Sequence, residues 1–305
     1  MDPEYYGCLY KRYNTYVRDY DSANKIKRIA CGPNVDDYHW TREVMDKVKH
    51  HAQGISLHYY TVPGDTWEHK GSATQFDTKE YYKTIAKAYR IEELINNHIA
   101  VMNSINPQQW VQLIVDEWGT WYDVEPGTNP GFLYQQNTMR DAMVAALTLN
   151  IFNKHSDRIM MANIAQTVNV LQAMILTDAE KMVLTPTYYV FKMFKEHQNN
   201  MLLGSFITSD TIESKEAKRS CPMLIESASI DENGVIYSTI ANVSDKKPAK
   251  IKCQIADRKI KSIKAEILCG DIHDKNDFEN ADNVKIEEFT DFRQLKDGFT
   301  ARLPA

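Results

Sequence analysis

Several features that mark other classes of protein are missing from this sequence of 305 residues. No apolar run is long enough to cross a bilayer, and the first six residues do not resemble a signal peptide. No glycine-rich phosphate loop follows an apolar segment, which argues against nucleotide binding. A net charge of −5 provides no broad positive field for a nucleic acid or an anionic membrane. The sequence therefore predicts a partner that is neither a nucleic acid nor a membrane.

Cysteine is scarce and shows no pattern. The five cysteines are an odd number, and their spacings fit neither a disulfide framework nor a zinc site. We predict free thiols and no metal centre, which favours a reducing compartment such as the cytoplasm over secretion. The cysteines are Cys8, Cys31, Cys221, Cys253 and Cys269.

The first 200 residues alternate short apolar segments with longer amphipathic ones. This pattern is typical of parallel strands joined by helices, so an α/β unit is predicted over residues 1–200. Four such units fit half of an eight-stranded barrel or a doubly wound sheet, and the pattern leaves both folds open. The strands are predicted at residues 26–31, 55–60, 111–118 and 158–164. Helices are predicted from Asp2-Pro3 onward, at 77–106, at 132–154, and from Thr185-Pro186 to about residue 200.

After residue 200 the chain becomes rich in short β-like runs separated by turn sequences. These runs predict an antiparallel sheet domain over residues 201–305. The lysines along its edges are interpreted as solvated positions that discourage edge pairing. Strands are predicted at 222–230, 234–242, 249–255 and 263–268.

Glu117 stands near the end of the third predicted strand. Strand alternation places Glu117 on the same face as Val115 and Asp116 on the opposite face. The two carboxylates are therefore not expected to bind one substrate together. Enzymes built on barrels keep catalytic groups at the carboxyl ends of their strands. The alternative is a glutamate at a strand end that forms a structural ion pair.

Other polar and aromatic residues end the neighbouring strands. His58 and Tyr60 share one face at the end of the second strand, where a tyrosine hydroxyl can hold a nucleophilic carboxylate ionised and oriented. Trp118 and Trp121 flank Glu117 and suit either a sugar ring or buried packing. Two carboxamides, Asn163 and Gln166, lie at the end of the fourth strand and can bind sugar hydroxyls.

Four runs of residues, in this order and spacing, strongly resemble glycoside hydrolase family 51 α-L-arabinofuranosidases. They are Ile55-Ser56-Leu57-His58-Tyr59-Tyr60, Val115-Asp116-Glu117-Trp118, the segment from Met161 to Gln172, and Leu184-Thr185-Pro186-Thr187-Tyr188. The resemblance covers nearly the whole chain. It implies a (β/α)8 barrel with a jelly-roll-like β-sandwich, in which the four units here are strands five to eight.

The resemblance also implies a function and a set of site residues. Glu117 matches the nucleophile of a retaining, exo-acting enzyme that removes arabinofuranosyl groups from arabinan or arabinoxylan. Tyr60 matches the tyrosine beside it, Trp121 and Gln166 match residues of the arabinose pocket, and His58 is a supporting candidate. No cofactor is implied, and family members are often homo-oligomers.

The second carboxyl group that a retaining glycosidase needs is expected to lie outside this sequence. In the family the acid/base glutamate follows an asparagine, and no Asn-Glu pair occurs in this chain. We therefore expect a piece truncated at both ends of the enzyme, carrying the nucleophile and inactive alone. The alternatives are a non-catalytic carbohydrate-binding remnant and the endo-β-glucanase or xylanase activity of some family members.

Overall fold

A computed structural model describes residues 1–305. Its first part contains a parallel sheet of four strands in the order β1-β2-β3-β4, with helices between consecutive strands. The strands are β1 (Ile29–Ala30), β2 (Gly54–Thr61), β3 (Gln112–Thr120) and β4 (Ile159–Ala162). The helices are α1 (Pro3–Asn14), α2 (Tyr38–Val48), α3 (Thr78–Ile105) and α4 (Met139–Lys154). No helix of the chain is both long and apolar enough to cross a membrane.

Helix α4 starts where its capping residues dictate. The Thr138 hydroxyl accepts from the backbone N–H of Arg140 at 3.2 Å, and the Asp141 carboxylate accepts from the backbone N–H of Thr138 at 2.8 Å. This capping box satisfies amide groups that the first turn leaves free. The predicted start at residue 132 is wrong because Phe132 belongs to a 3-10 turn, Pro130–Phe132, that precedes the helix.

A hairpin and a short helix follow β4. The hairpin, β5 (Ile175–Asp178) and β6 (Lys181–Leu184), was not predicted, and α5 (Pro186–Phe194) ends earlier than expected. Pro186 occupies the first turn of α5 as predicted, but Thr185 makes no capping hydrogen bond. Its hydroxyl instead donates to the backbone carbonyls of Ala173 and Met174, because the chain before the hairpin passes beside it.

The second part of the chain consists of strands joined by loops. Its longest pairings are antiparallel, with β10 between β11 and β7 in one sheet and β16 between β12 and β15 in another. The strand predicted at 263–268 is reduced to β13, which pairs only with β14. The strands are β7 (Met201–Leu203), β8 (Thr211–Ser214), β9 (Arg219–Pro222), β10 (Leu224–Ile230), β11 (Ile236–Asn242), β12 (Ala249–Gln254), β13 (Glu266–Ile267), β14 (Glu287–Glu288), β15 (Phe292–Gln294) and β16 (Gly298–Leu303).

One hydrophobic core joins the two parts. The largest cluster of buried apolar side chains includes Leu57 and Leu113 of the parallel sheet together with Ile225 of β10 and Ala241 of β11. The Asn150 amide of α4 donates to the backbone carbonyl of Ile225 at 3.2 Å. Because burial of apolar surface is the main stabilising contribution, the antiparallel sheet supports the helices behind the parallel one.

Candidate active site

The carboxyl ends of β2 and β3 bring together the side chains that the sequence singled out. The two strands are parallel neighbours, with His58 opposite Glu117 and Tyr60 opposite Gly119. Parallel strands end at the same edge of a sheet, so residues at these positions face one shared opening. The Glu117 side chain is 46% exposed there, which leaves its carboxylate accessible to a ligand.

A bulge in β3 changes the direction of Asp116. Between the pairs Ser56–Ile114 and His58–Glu117, β3 advances by one residue more than β2 does. An extra residue in one strand interrupts strict alternation and re-aims the side chains around it. The predicted separation of Asp116 and Glu117 onto opposite faces is therefore wrong, and both carboxylates reach the imidazole of His58.

Tyr60 binds Glu117 directly. The Tyr60 hydroxyl donates to Glu117 Oε2 over a distance of 3.1 Å. Burial, followed by the nearby Glu117 charge, raises the pKa of Tyr60, so the phenol keeps its proton and remains a donor. A donor fixed on one carboxylate oxygen orients the group and leaves its other oxygen free.

His58 lies between the two carboxylates. Its Nε2 is 3.1 Å from Asp116 Oδ1, and its Nδ1 is 3.6 Å from Glu117 Oε2. Asp116 Oδ1 is buried and has no aligned hydrogen-bond donor, so its contact with His58 is a close ion pair. The Asp116 carboxylate raises the pKa of His58, burial opposes this effect, and Glu117 adds to it. The imidazolium form is thus favoured between two negative charges.

Replacing Asp116 by asparagine is expected to lower the pKa of His58, because it removes the main cause of the upward shift. A raised pKa stabilises the fold fully below the unfolded value, and this contribution is lost as pH rises through the folded value. The variant should therefore lose stability mainly at low pH. The titration of the His58 ring proton by NMR between about pH 5 and 8 measures the shift.

His273 provides the internal control for this titration. Its ring contacts Asp271 and the backbone carbonyl of Phe76, and it has no contact with Asp116. Its midpoint should be the same in both proteins. An unchanged midpoint for His58 in the asparagine variant would contradict the role given to Asp116.

Trp121 extends the site outward from Tyr60. The two rings meet edge to face with their centroids 5.0 Å apart. The residues on either side of Trp121 are fixed, because the Thr120 hydroxyl and the Tyr122 hydroxyl donate to Asp141 Oδ1 at 2.5 and 2.9 Å. Gln172 Oε1 accepts from the backbone N–H of Thr120 at 2.8 Å. This buried network fixes the chain on both sides of Trp121 and so holds the indole beside Tyr60.

The other predicted positions differ in their surroundings. Trp118 is 1% exposed and packs against Phe152 and Phe191, so it is a core residue and offers no surface to a ligand. Gln166 is exposed and makes no hydrogen bond to the other site residues. It follows Ala165, whose backbone N–H donates to the Trp118 carbonyl at 3.1 Å, so it stands at the same end of the sheet as Glu117.

Sequence reasoning missed two parts of this arrangement. Asp116 becomes a neighbour of His58 only because of the bulge, and no local sequence pattern predicts that bulge. Trp67 lies far from Trp121 along the chain, yet the two rings meet with centroids 4.9 Å apart. The tryptophan in a loop directly after the His-Tyr-Tyr strand was the one signal that could have suggested the second contact.

Comparison with known proteins identifies the family. The sequence profile of the α-L-arabinofuranosidase C-terminal domain matches residues 116–305, which is more than half of the chain. The chain belongs to the glycoside hydrolase family 51 α-L-arabinofuranosidases. Among curated relatives in this family, a Bacteroides ovatus protein named an intracellular exo-α-L-arabinofuranosidase is 45% identical over the whole chain.

Solved structures of arabinofuranosidases, including a family 51 enzyme, have the same fold. The enzyme from Xanthomonas axonopodis pv. citri superimposes on the whole chain with a TM-score of 0.95 and 39% identity. The α-L-arabinofuranosidase of Thermotoga maritima, solved with arabinose, matches 99% of the chain with a TM-score of 0.78 and 24% identity. The chain spans 59% of the Bacteroides protein and 61% of the Xanthomonas structure.

Proposed function

We propose that this chain carries the nucleophile of a retaining, exo-acting α-L-arabinofuranosidase that removes terminal arabinofuranosyl groups from arabinan or arabinoxylan chains. The observation that carries the proposal is the accessible Glu117 carboxylate with the Tyr60 hydroxyl 3.1 Å from its Oε2. This pair supports a nucleophilic role because a donor fixed on one carboxylate oxygen orients the other toward a bound ligand. The family relationship supports the sugar specificity.

In the proposed reaction Glu117 attacks the anomeric carbon of the bound arabinofuranosyl group. The bond from that carbon to the leaving oxygen breaks, a glycosyl ester forms on Glu117, and the leaving oxygen takes up a proton from a second carboxyl group. Water then hydrolyses the ester and restores the carboxylate. In this scheme Trp121 and Gln166 bind the sugar, and His58 positions Glu117. No cofactor takes part.

We propose a matching architecture. The four strand–helix units over residues 1–200 correspond to the second half of a (β/α)8 barrel, and residues 201–305 form a β-sandwich domain. The order of the parallel sheet supports the first assignment, because neighbouring strands follow each other along the chain as they do in a barrel. The shared edge that carries Glu117 then corresponds to the catalytic end of the barrel.

An aryl α-L-arabinofuranoside with a good leaving group tests the proposal on this chain. Such a leaving group needs little proton donation, so transfer to Glu117 is possible without an acid catalyst. We expect phenol release and an arabinosyl adduct on the peptide that contains Glu117, detected by mass spectrometry. Binding of arabinose with no adduct would indicate a carbohydrate-binding role instead. An adduct formed only from a xylan or glucan oligosaccharide substrate would indicate endo activity.

Replacing Tyr60 by phenylalanine is expected to slow adduct formation about 10-fold to 100-fold, the usual cost of losing one hydrogen bond to a charged group. The substitution removes the hydroxyl that orients Glu117 and keeps the ring that packs against Trp121. Stopped-flow measurement of phenol release gives the rate. Tyr188→Phe is the matched control, because Tyr188 makes no hydrogen bond to Glu117 and no ring contact with Trp121. This variant should retain the rate of the unsubstituted chain. Equal rates for Tyr60→Phe and the control would show that the Tyr60 hydroxyl does not contribute to the reaction.

A further inference from the structure

A row of three aromatic rings leads away from Glu117. Tyr60 binds the carboxylate, Trp121 meets Tyr60 with ring centroids 5.0 Å apart, and Trp67 meets Trp121 at 4.9 Å. Tyr60 and Trp121 are half-buried, whereas Trp67 at the end of the row is 57% exposed. Large aromatic side chains that remain this exposed beside a polar site often mark a place where a ligand binds.

The loop that carries Trp67 closes on itself at Gly64. The Gly64 backbone N–H donates to the Lys70 carbonyl at 2.8 Å, which brings the two ends of the loop together. A Cβ at Gly64 would lie 1.8 Å from the His69 carbonyl oxygen, so only glycine fits this close approach. We call the closed ends of this loop, Gly64 and Lys70, its neck.

Two charged side chains, Lys87 and Asp123, fix this neck. Lys87 Nζ, from α3, donates to the backbone carbonyls of Val62 and Gly64 at 2.9 and 3.0 Å. The Asp123 carboxylate accepts from the backbone N–H groups of Lys70 and Gly71 at 3.1 and 3.3 Å. An exposed ring on a loop held in this way is pre-organised, which lowers the entropy lost when a ligand binds.

We infer that Trp67 forms a second sugar-binding position, which takes the leaving-group side of the substrate and makes a carbohydrate chain the preferred leaving group. This inference rests on the proposed function. The Lys70 ammonium lies over one face of the Trp67 ring, 4.8 Å from its centre, while the side chain as a whole remains 57% exposed. An exposed indole face suits the C–H side of a sugar ring, and the ammonium beside it supplies a donor for the sugar hydroxyls.

The position of Trp67 assigns it to the leaving group. Trp67 contacts Trp121, Trp121 contacts Tyr60, and Tyr60 binds Glu117, so the Trp67 ring is two aromatic contacts removed from the side chain that holds the carboxylate. In an exo-acting enzyme the arabinosyl group fills the inner space and has no further sugar on its own side. A sugar ring beyond Trp121 therefore belongs to the chain that departs.

Calorimetric titration of the full chain with arabinose and with arabinotriose tests this assignment. The unsubstituted chain should bind arabinotriose more tightly, because the trisaccharide reaches both positions. Trp67→Ala should reduce the ratio of the two affinities about threefold to tenfold, the usual value of one aromatic contact. Trp67→Phe keeps a ring and should retain most of the ratio. Phe206→Ala removes another highly exposed ring, far along the chain, and should leave the ratio unchanged.

Two results would overturn the inference. One is an unchanged ratio in Trp67→Ala, whether or not both affinities fall together. The other is an equal affinity of the unsubstituted chain for arabinose and arabinotriose. Absence of binding by both sugars counts as the same result. Failure of the proposed function is seen separately, as the absence of an arabinosyl adduct on Glu117 when the aryl arabinofuranoside is the probe. Gly64→Ala should reproduce the loss of the ratio, since it displaces the loop and keeps the indole.

Discussion

Replacing Glu117 by glutamine is expected to lower the rate of phenol release from an activated aryl arabinofuranoside by about 10⁴-fold or more. Glutamine keeps the size of the side chain and can still accept from the Tyr60 hydroxyl, so the fold and the sugar contacts should persist. It cannot form the glycosyl ester, because a neutral amide is a very weak nucleophile at the anomeric carbon. The adduct should disappear together with turnover.

Glu180→Gln is the matched control for this substitution. Glu180 is exposed in the turn between β5 and β6 and makes no hydrogen bond or ion pair. The same chemical change there should leave the rate unaltered. A Glu117→Gln protein with the rate of the control would show that another group attacks the sugar.

A smaller replacement gives a second and independent readout. Glu117→Ala leaves a space beside Tyr60 in which a small anion such as azide can stand. Azide then attacks the anomeric carbon from the side that the carboxylate occupied, and the product is a glycosyl azide of inverted configuration. A rate restored by azide, with an inverted product, identifies Glu117 as the nucleophile. Restoration with retained configuration would contradict that assignment.

The sequence was sufficient to predict the parts of the site that depend on strand position. The segment from Ile55 to Tyr60 and the segment ending at Trp118 are apolar runs that end in polar or aromatic residues, and they coincide with β2 and β3. Because parallel strands end at one edge, His58, Tyr60 and Glu117 were expected to meet there, and they do. Period and direction placed each side chain at the end of its strand, and the resemblance to the family implied that the two strands are neighbours.

The remaining features depend on which segment lies beside which. The bulge that brings Asp116 to His58 arises from the pairing of β3 with β2, so a regular strand pattern gave the wrong face for Asp116. The Thr185 hydroxyl fails to cap α5 because it donates instead to two carbonyls of the chain just before the hairpin. Trp67 reaches Trp121 through a loop closure at Gly64 that has no local sequence period. Tertiary contacts decided each of these cases.

The second large effect concerns Arg140, whose substitution by alanine is expected to reduce the free energy of unfolding by about 3–5 kcal/mol. Its side chain has no exposed surface, and the guanidinium lies between the rings of Phe76 and Tyr122, at 3.7 and 4.1 Å from their centres. It pairs with Glu80 at 3.3 Å. It also donates to the backbone carbonyl of Ser72 at 2.8 Å.

Alanine would leave these partly buried acceptors without their donor and would open a cavity between the two rings. Arg140→Lys should recover only part of the loss, because an ammonium group lacks the planar surface that stacks on both rings. Urea unfolding gives the free energies. Arg219→Ala is the matched control, since Arg219 pairs with Glu93 at 2.7 Å on the surface and should cost less than about 1 kcal/mol. If the two alanine variants lose similar amounts of unfolding free energy, burial does not increase the contribution of Arg140 to stability.

The effect of Arg140→Ala should also reach the active site. Tyr122 follows Trp121 directly, and Ser72 follows Gly71, whose backbone N–H is held by Asp123 at the neck of the Trp67 loop. Arg140 thus braces the chain on both sides of the Trp67–Trp121 contact. At temperatures where the Arg140→Ala protein is still folded, the affinity for arabinotriose should fall more than the affinity for arabinose. The same titration applied to Arg219→Ala should show no such selective loss, because that surface pair has no contact with either tryptophan.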